Sequence, residues 1–515
     1  MQPLPRYFPH VDGLRALAVL AVMAYHLHPA MLPGGFAGVD VFFVISGFVV
    51  TASLAQHRGE SPSAFLGRFY ARRLARIAPG LLAMLMATTL AYVLLVPRAW
   101  LSGLTESVGR AAFWGLSNWV LGAQSETYFA PRADFNPFLH TWTLGVEEQF
   151  YLGAPLLLYG WVRLRGRSER RNVAVTAMIA LALASLAACF RASSLHGAEY
   201  AFYGLVFRFW ELAAGVLWFQ WAAQRPAPSR ALSTCLSWGA WPAIALTGAT
   251  LVLARANTFP WPGALAAVAG ALLLIGDARA RPDDRVRRQF ARPSMVWIGQ
   301  RSYSLYLWHW PVFVLCRWTV GLATWPTRIA ALGVAVALAT ASYRWIERPV
   351  RHSARLAQRP AALRIAGFLG VIGLCWGGAS LLLHEQPALG LSRVTRDAGD
   401  WYADVRMVRG DRATRRCEPR IVERRLAGGG DITEYRPEGC AAPRPAQLFV
   451  LGDSHAYAYR PMFDQLSAEE GRMVRVYEMP GCSYISLMAP MTDPPPGCLA
   501  GAHAAMNEVL ELGHP

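Results

Sequence analysis

Ionisable side chains recur at helical spacing inside apolar stretches of this 515-residue chain. Arg15 and His26 stand eleven residues apart in the first stretch. On a helix that is about three turns plus 20°, so both project from one face, about 16 Å apart along the axis. The arginine can bind an anion at the membrane surface, and the histidine can do proton chemistry deeper in the same groove. The plainer alternative is a packed histidine below a snorkelling arginine. Arg73 and Arg76, at i and i+3 within Arg72-Arg73-Leu74-Ala75-Arg76, share a face suited to pairing with phosphates. Arg-rich loops are also the ordinary mark of the cytoplasmic side, which is the competing explanation of that pattern.

Further along, Gly38–Phe48 opens the second stretch with Asp40 in its outer half, and its Ser46-Gly47 step permits close backbone approach. His140 begins a run containing Glu147 and Glu148, and two adjacent carboxylates inside a membrane segment are costly unless paired or facing a cavity. His140 and Glu147, seven apart, fall on one face. His309 lies in Ser302–Pro311, toward the outer side, between Trp308 and Trp310, which could equally form an interfacial aromatic belt. Arg208 and Glu211 are three apart and expected to pair.

A nucleophile candidate lies near the C-terminal end. Gln447–Leu451 reads as a buried strand, Gly452-Asp453-Ser454-His455 as a turn, about 456–470 as a helix and Met473–Glu478 as a second strand. That is a βαβ unit of a parallel sheet, and in such sheets function gathers at the carboxyl ends of the strands, where Ser454 stands. The bland reading of Ser454 is a helix N-cap. A serine nucleophile needs an oriented base. No D-x-x-H sequence follows Ser454, so the C-terminal domain reads as incomplete in this sequence.

The elements that must position these groups are mostly membrane spans. The chain is 54% hydrophobic and 16% charged, against roughly 25% charged in soluble domains. Eleven apolar runs are long enough to cross a bilayer: 11–31, 36–55, 78–96, 139–162, 173–190, 204–223, 232–253, 262–277, 295–316, 325–346 and 363–383. The segment 101–122 is amphipathic and reads as a re-entrant or interfacial helix. The net charge of +17 comes from 50 arginines without a lysine. They cluster in alternate loops between apolar runs, which is a topology signal and argues against nucleic acid as a partner.

By that asymmetry the N-terminus is cytoplasmic, and an odd number of spans exports everything after about 384. The first run contains Asp12, Arg15 and His26 with no cleavage site after it, so it reads as a span and not as a removable signal. Cys417, Cys440, Cys482 and Cys498 all fall in the exported part, an even number in an oxidising compartment. Four cysteines allow three pairings; the two short loops, Cys417–Cys440 and Cys482–Cys498, are favoured. No metal-ligand cluster is expected.

Taken in order, R-x10-H, the Asp40–Phe48 run, RRxxR-IxP at Arg72–Pro79, H-T-W-T-L-x-V-E-E-Q-F-Y and S-Y-S-L-Y-L-W-H-W-P resemble the acyltransferase family 3, bacterial membrane proteins that O-acetylate surface carbohydrates. Gly452–His455 after its strand resembles the first block of the SGNH hydrolases, a domain that some members of that family carry beyond one extra span. The resemblance implies an α-helical polytopic membrane domain of ten spans over 8–350 and a linking span over 363–383. An exported linker over 384–445 and a partial α/β, flavodoxin-like SGNH domain over 446–515 would follow.

It further implies acetyl-CoA as acyl donor, with Arg15, Arg73, Arg76 and Ser46 at the donor side. Asp40, His140 and His309 would lie toward the acceptor, with His26, Glu147, Glu148 and Ser454 in the chemistry. The acceptor would be a hydroxyl of a surface polysaccharide or a lipid-linked saccharide, and the location the bacterial cytoplasmic membrane, in contact with its lipid. A proton-coupled transporter or flippase of a carbohydrate precursor is the alternative class. It offers no reason for the exported strand–turn–helix.

Overall fold

The computed structural model describes residues 7–57, 60–97, 103–123, 135–164, 168–197, 200–224, 230–255, 258–276, 285–392, 395, 416–426, 429–440, 447–453, 456, 458–479 and 497–513. The chain divides near residue 395 into two compact units.

Among its described residues the first unit is built from helices and short connections. A proline at the first turn opens α1 (Pro9–Leu27) and α3 (Pro62–Leu95), where its fixed φ suits the helix and its missing N–H costs nothing. Between them runs α2 (Gly38–Leu54). Helix α3 has 34 residues and is about 50 Å long, well beyond a ~30 Å bilayer core. Its first turns therefore extend past the apolar slab and carry Arg72, Arg73 and Arg76, ahead of the apolar run that begins at residue 78. Then come α4 (Gly103–Ala112), α5 (Ser117–Gly122), α6 (Thr141–Leu164), α7 (Ser168–His196), α8 (Leu205–Ala222), α9 (Arg230–Leu253) and α10 (Gly263–Ile275).

The short α11 (Arg285–Phe290) leads to α12 (Pro293–Gln300) and α13 (Ser302–Trp318). The single span expected over 295–316 is thus broken at Arg301, the cap shared by the two helices. Helix α14 (Trp325–Ser342) continues into a π-helical turn, Tyr343–Glu347, and α15 (Ala361–His384) is the linking helix. Among the described residues, five helices are both long and apolar enough to cross a membrane. The helices α1, α6, α8 and α13, which carry the polar motifs, are not among these five because their charged and polar side chains lower the mean hydropathy or their length falls short.

Small residues set the closest helix contacts, as expected where lipid offers no hydrophobic drive. A Cβ on Gly47 of α2 would stand 1.9 Å from the Leu212 carbonyl oxygen of α8, and one on Gly215 would stand 2.0 Å from that of Val44. The close approach read from Ser46-Gly47 is therefore made to α8.

Among the described residues the second unit holds a four-stranded sheet in the order β1-β2-β4-β3, with β1 (Glu418–Arg425), β2 (Asp431–Glu438), β3 (Gln447–Gly452) and β4 (Met473–Glu478). Strands β3 and β4 are parallel, from Gln447 opposite Met473 to Gly452 opposite Glu478, and α16 (Arg460–Glu470) connects them. The βαβ unit is as the sequence indicates. Strands β1 and β2 form an antiparallel hairpin inside the stretch read as linker, and β2 pairs with β4. Alternation along β4 sends Val474 and Val476 to the Phe463 side, under α16, and Tyr477 to the Ala505 side, under α17 (Cys498–Gly513). A disulfide, Cys417–Cys440, closes the open end of the hairpin.

Candidate active site

Three helices bring the predicted donor-side residues together. Arg15 of α1, Ser46 of α2, Arg73 and Arg76 of α3, and Glu147 and Glu148 of α6 line one cavity of about 70 Å³, with Ser302, Tyr303 and Tyr306 of α13 on its remaining wall. Glu147 is its most connected group. It accepts from Ser46 Oγ at 2.7 Å and from Tyr151 OH at 2.7 Å, and Arg73 Nη2 stands 4.0 Å away. The Arg73 guanidinium lies over the Tyr151 ring at 3.5 Å from its centroid, a cation–π contact. Arg15 Nε donates to Ser302 Oγ at 3.2 Å.

Arg73 and Arg76 also line a wider vestibule of about 350 Å³, together with Arg68, Arg72, Arg351, Arg364, His57 and His352. His57, beyond the end of α2, has its pKa held below the usual imidazole range by burial and by Arg72, whose Nη1 donates to its Nε2 at 2.9 Å. The vestibule can hold several phosphate charges in a bed of guanidinium groups, and the cavity behind it can admit only a narrow group.

The second group is a histidine cluster. His26 Nδ1 lies 2.9 Å from His309 Nε2, and the two rings are nearly coplanar, with centroids 5.2 Å apart and 7° between their planes. His140 stands edge-on to His309 at 6.0 Å. Tyr306 joins cavity and cluster: it lines the cavity, hydrogen-bonds with Thr143 Oγ1 at 2.7 Å and donates to the His140 carbonyl at 3.0 Å. Arg15 and His26 do share a face of α1, and the partner of both is α13. Arg317 Nη2 donates to the His26 carbonyl at 2.7 Å, which ties the end of α1 to the same helix.

An apolar cleft of about 230 Å³ opens from the same place. Arg73 and Glu148 line it together with Leu81, Leu82, Trp114, Leu369 and Ile372. Its wall is the turn between α4 and α5, where Gly115 has φ +65° and its carbonyl accepts from Gln149 Nε2 at 2.9 Å. The amphipathic segment 101–122 is therefore a helix–turn–helix whose tip meets α6 at Glu148 and Gln149.

Two expectations change. Asp40, read as acceptor-side, is fully buried and receives Arg208 Nη2 at 2.9 Å; Arg208 Nε also lies 3.3 Å from Glu211, the pairing the sequence suggested. A carboxylate so committed closes a structural ion pair between α2 and α8. Ser46 lines the cavity, but its hydroxyl is spent on Glu147. Sequence reading passed over Ser302, Tyr303, Tyr306, Thr143 and Glu347. Ser302, Tyr306 and His309 follow at i, i+4 and i+7, a spacing that would have revealed their common face. Glu347, in the π-helical turn, accepts from Ser304 at 2.6 Å and Ser342 at 3.1 Å. Ser454, His455 and Cys482 lie outside the described residues. Cys498 is disulfide-bonded, and Cys417 and Cys440 are paired as expected.

Comparison with known proteins gives two family matches, an acyltransferase domain over residues 8–344 and an SGNH domain of the kind fused to such acyltransferase domains over 423–514. The O-acetyltransferase OatA of Staphylococcus aureus strain NCTC 8325 is 30% identical over 354 residues, 67% of this chain and 58% of that protein. SACOL0978 of S. aureus strain COL, whose name assigns it provisionally as an O-acetyltransferase, is 31% identical over 353 residues with the same coverage. This chain thus matches a little over half the length of these relatives. No solved structure matches it.

Proposed function

The chain belongs to the acyltransferase 3 family with a fused SGNH domain, and from that premise we propose that it is a membrane O-acyltransferase moving an acetyl group from cytoplasmic acetyl-CoA to a carbohydrate hydroxyl on the outer side. The observation that carries the reading is the continuous series of polar groups, from an arginine-lined vestibule through a narrow cavity to a histidine cluster.

On this reading the CoA phosphates rest among Arg68, Arg72, Arg76 and Arg351, and the thioester end enters the cavity past Arg73. Glu147, Tyr151 and Arg73 form a fixed frame at its mouth, which positions the thioester and so lowers the entropic part of the barrier. His26 is the general base for the hydroxyl that attacks the thioester carbonyl. Membership in a family with an SGNH partner supports Ser454 as the group that takes the acyl unit onward to a polysaccharide or lipid-linked saccharide. The N-terminus then faces the cytoplasm of a bacterial cell, and the sheet unit lies outside the cytoplasmic membrane.

The test compares Arg15→Ala, His26→Ala and Ser454→Ala in the natural full-length protein. Acetyl-CoA consumption by membranes and the O-acetyl signals of surface polysaccharide by NMR are read together. Arg15→Ala and His26→Ala should abolish both while the protein stays in the membrane. Ser454→Ala should abolish the O-acetyl signal and leave acetyl-CoA consumption detectable. Normal activity of His26→Ala would overturn the proposed chemistry; normal O-acetylation by Ser454→Ala would leave the serine a helix cap.

A further inference from the structure

His309 stands in the sequence as one more polar group on the acceptor side, but its contacts assign it another task. Both of its ring nitrogens are occupied. Nδ1 lies 3.1 Å from the carbonyl oxygen of Leu305, one turn back on α13, and Nε2 lies 2.9 Å from Nδ1 of His26. A carbonyl oxygen only accepts, so the Leu305 bond requires a proton on Nδ1 of His309. A second proton on Nε2 would make a charged imidazolium, fully buried and with no carboxylate in salt-bridge contact among the described residues. His309 is therefore neutral, with Nε2 as a lone pair.

That lone pair settles the orientation of the neighbouring ring. Across the 2.9 Å contact His26 must donate from Nδ1, and a neutral His26 then keeps its own lone pair on Nε2. Among the described residues no side chain or carbonyl hydrogen-bonds to that nitrogen. We propose that His309 is the positioning residue that fixes the tautomer of His26 through the Leu305 carbonyl, leaving Nε2 of His26 as the basic nitrogen.

The geometry holds the ring as well as its proton. The in-plane hydrogen bond to the nearly coplanar His309 ring and the contact with Trp310 at 4.4 Å leave His26 little freedom to rotate. The inference rests on the reading of His26 as general base and adds which atom acts. When a hydroxyl attacks the thioester, its proton passes to His26 Nε2, the new oxygen–carbon bond forms and the carbon–sulfur bond breaks. The departing thiolate takes the proton back, so His26 ends neutral and in its starting tautomer. A base placed in the opposite tautomer would present an N–H to the hydroxyl and could not accept its proton.

The test uses the full chain in proteoliposomes with acetyl-CoA, and three variants. His309→Gln keeps an acceptor within reach of His26 Nδ1 and should retain activity within about 10-fold. His309→Asn is too short to reach His26, and His309→Leu has no acceptor. Both should lose about 100-fold or more in kcat, the scale of a positioned general base, with little change in KM for acetyl-CoA. Nitrogen-15 NMR of histidine-labelled native protein gives a readout independent of the variants: His26 and His309 should each show a protonated Nδ1 and an unprotonated Nε2.

His309→Leu within about 3-fold of the native rate, or a protonated Nε2 on His26 in the resting protein, would overturn the inference while the base role of His26 still stood. Full activity of His26→Ala would instead overturn the underlying function.

Discussion

Ser46 Oγ donates to Glu147 Oε1 at 2.7 Å, a bond that joins α2 to α6 across the rim of the cavity. Tyr151 supplies a second donor one helical turn along α6, and Arg73 approaches the other carboxyl oxygen. Glu147 is therefore an anchor for three elements, and Glu148 borders both the cavity and the apolar cleft.

Glu147→Ala should accordingly be far more damaging than Ser46→Ala. Removing the serine deletes one of two hydroxyl donors and should slow acetyl transfer by about 10-fold, the scale of one hydrogen bond to a charged group. Removing the carboxyl frees Ser46, Tyr151 and Arg73 together, and transfer should fall beyond detection. Rates in proteoliposomes containing equal amounts of folded protein check both. Equal losses would mean that Ser46 meets the donor directly.

Among the described residues Arg208 is the sole cation in salt-bridge contact with Asp40 and Glu211, and all three are buried. Arg208→Ala leaves two buried carboxyl groups without their guanidinium, at a cost of about 3–5 kcal/mol. Asp40→Asn should cost less, because an amide still accepts from Arg208. Thermal unfolding in detergent should show the order native, Asp40→Asn, Arg208→Ala. If Asp40→Asn kept native stability and lost transfer selectively, the aspartate would be a ligand after all.

Disulfide mapping of the second unit under non-reducing conditions should recover Cys417 linked to Cys440 and Cys498 linked to Cys482. Replacing Cys417 and Cys440 with serine should destabilise the sheet unit by about 2–4 kcal/mol, because the unfolded chain regains the freedom of the 23-residue loop. Faster proteolysis within the hairpin reports that loss. Free thiols at these positions in protein taken from cells would argue against export.

Acid should loosen the same sheet through Glu434. This carboxyl lies in the middle of β2, and burial alone would raise its pKa. Arg436 at 2.6 Å and Arg475 at 3.2 Å outweigh that and hold it below the usual glutamate value. A carboxyl with a depressed folded pKa adds stability that is fully present above its unfolded pKa, about 4.3, and is lost as the pH falls through the folded value. Limited proteolysis of the sheet unit should thus accelerate below about pH 4 in the native chain. In Glu434→Gln the rate should start higher and change less between pH 5 and 3. Identical pH profiles would mean that other carboxyl groups govern acid sensitivity.

Some of this architecture is a local property and was legible in the residues. The apolar runs became helices, with 295–316 broken into two at Arg301, because length and apolarity belong to a segment by itself, and β4 begins and ends where alternation marks it, at Met473 and Glu478. Arg15 and His26 share a face because helical pitch alone fixes their angle. The hairpin β1–β2 escaped because its outer strand, Glu-Pro-Arg-Ile-Val-Glu-Arg-Arg, is a charged and mostly exposed edge that composition cannot tell from a linker.

What the tertiary structure decided is which helices meet. His26 finds His309 across 283 residues, Arg15 finds Ser302 across 287, and Asp40 is claimed by Arg208 across 168. Apolar surface faces lipid and protein alike in a membrane helix, so hydropathy carries no address for a neighbour. Only the packed bundle could turn Asp40 from a candidate ligand into a strut, and His309 from an acceptor-side candidate into the partner of His26.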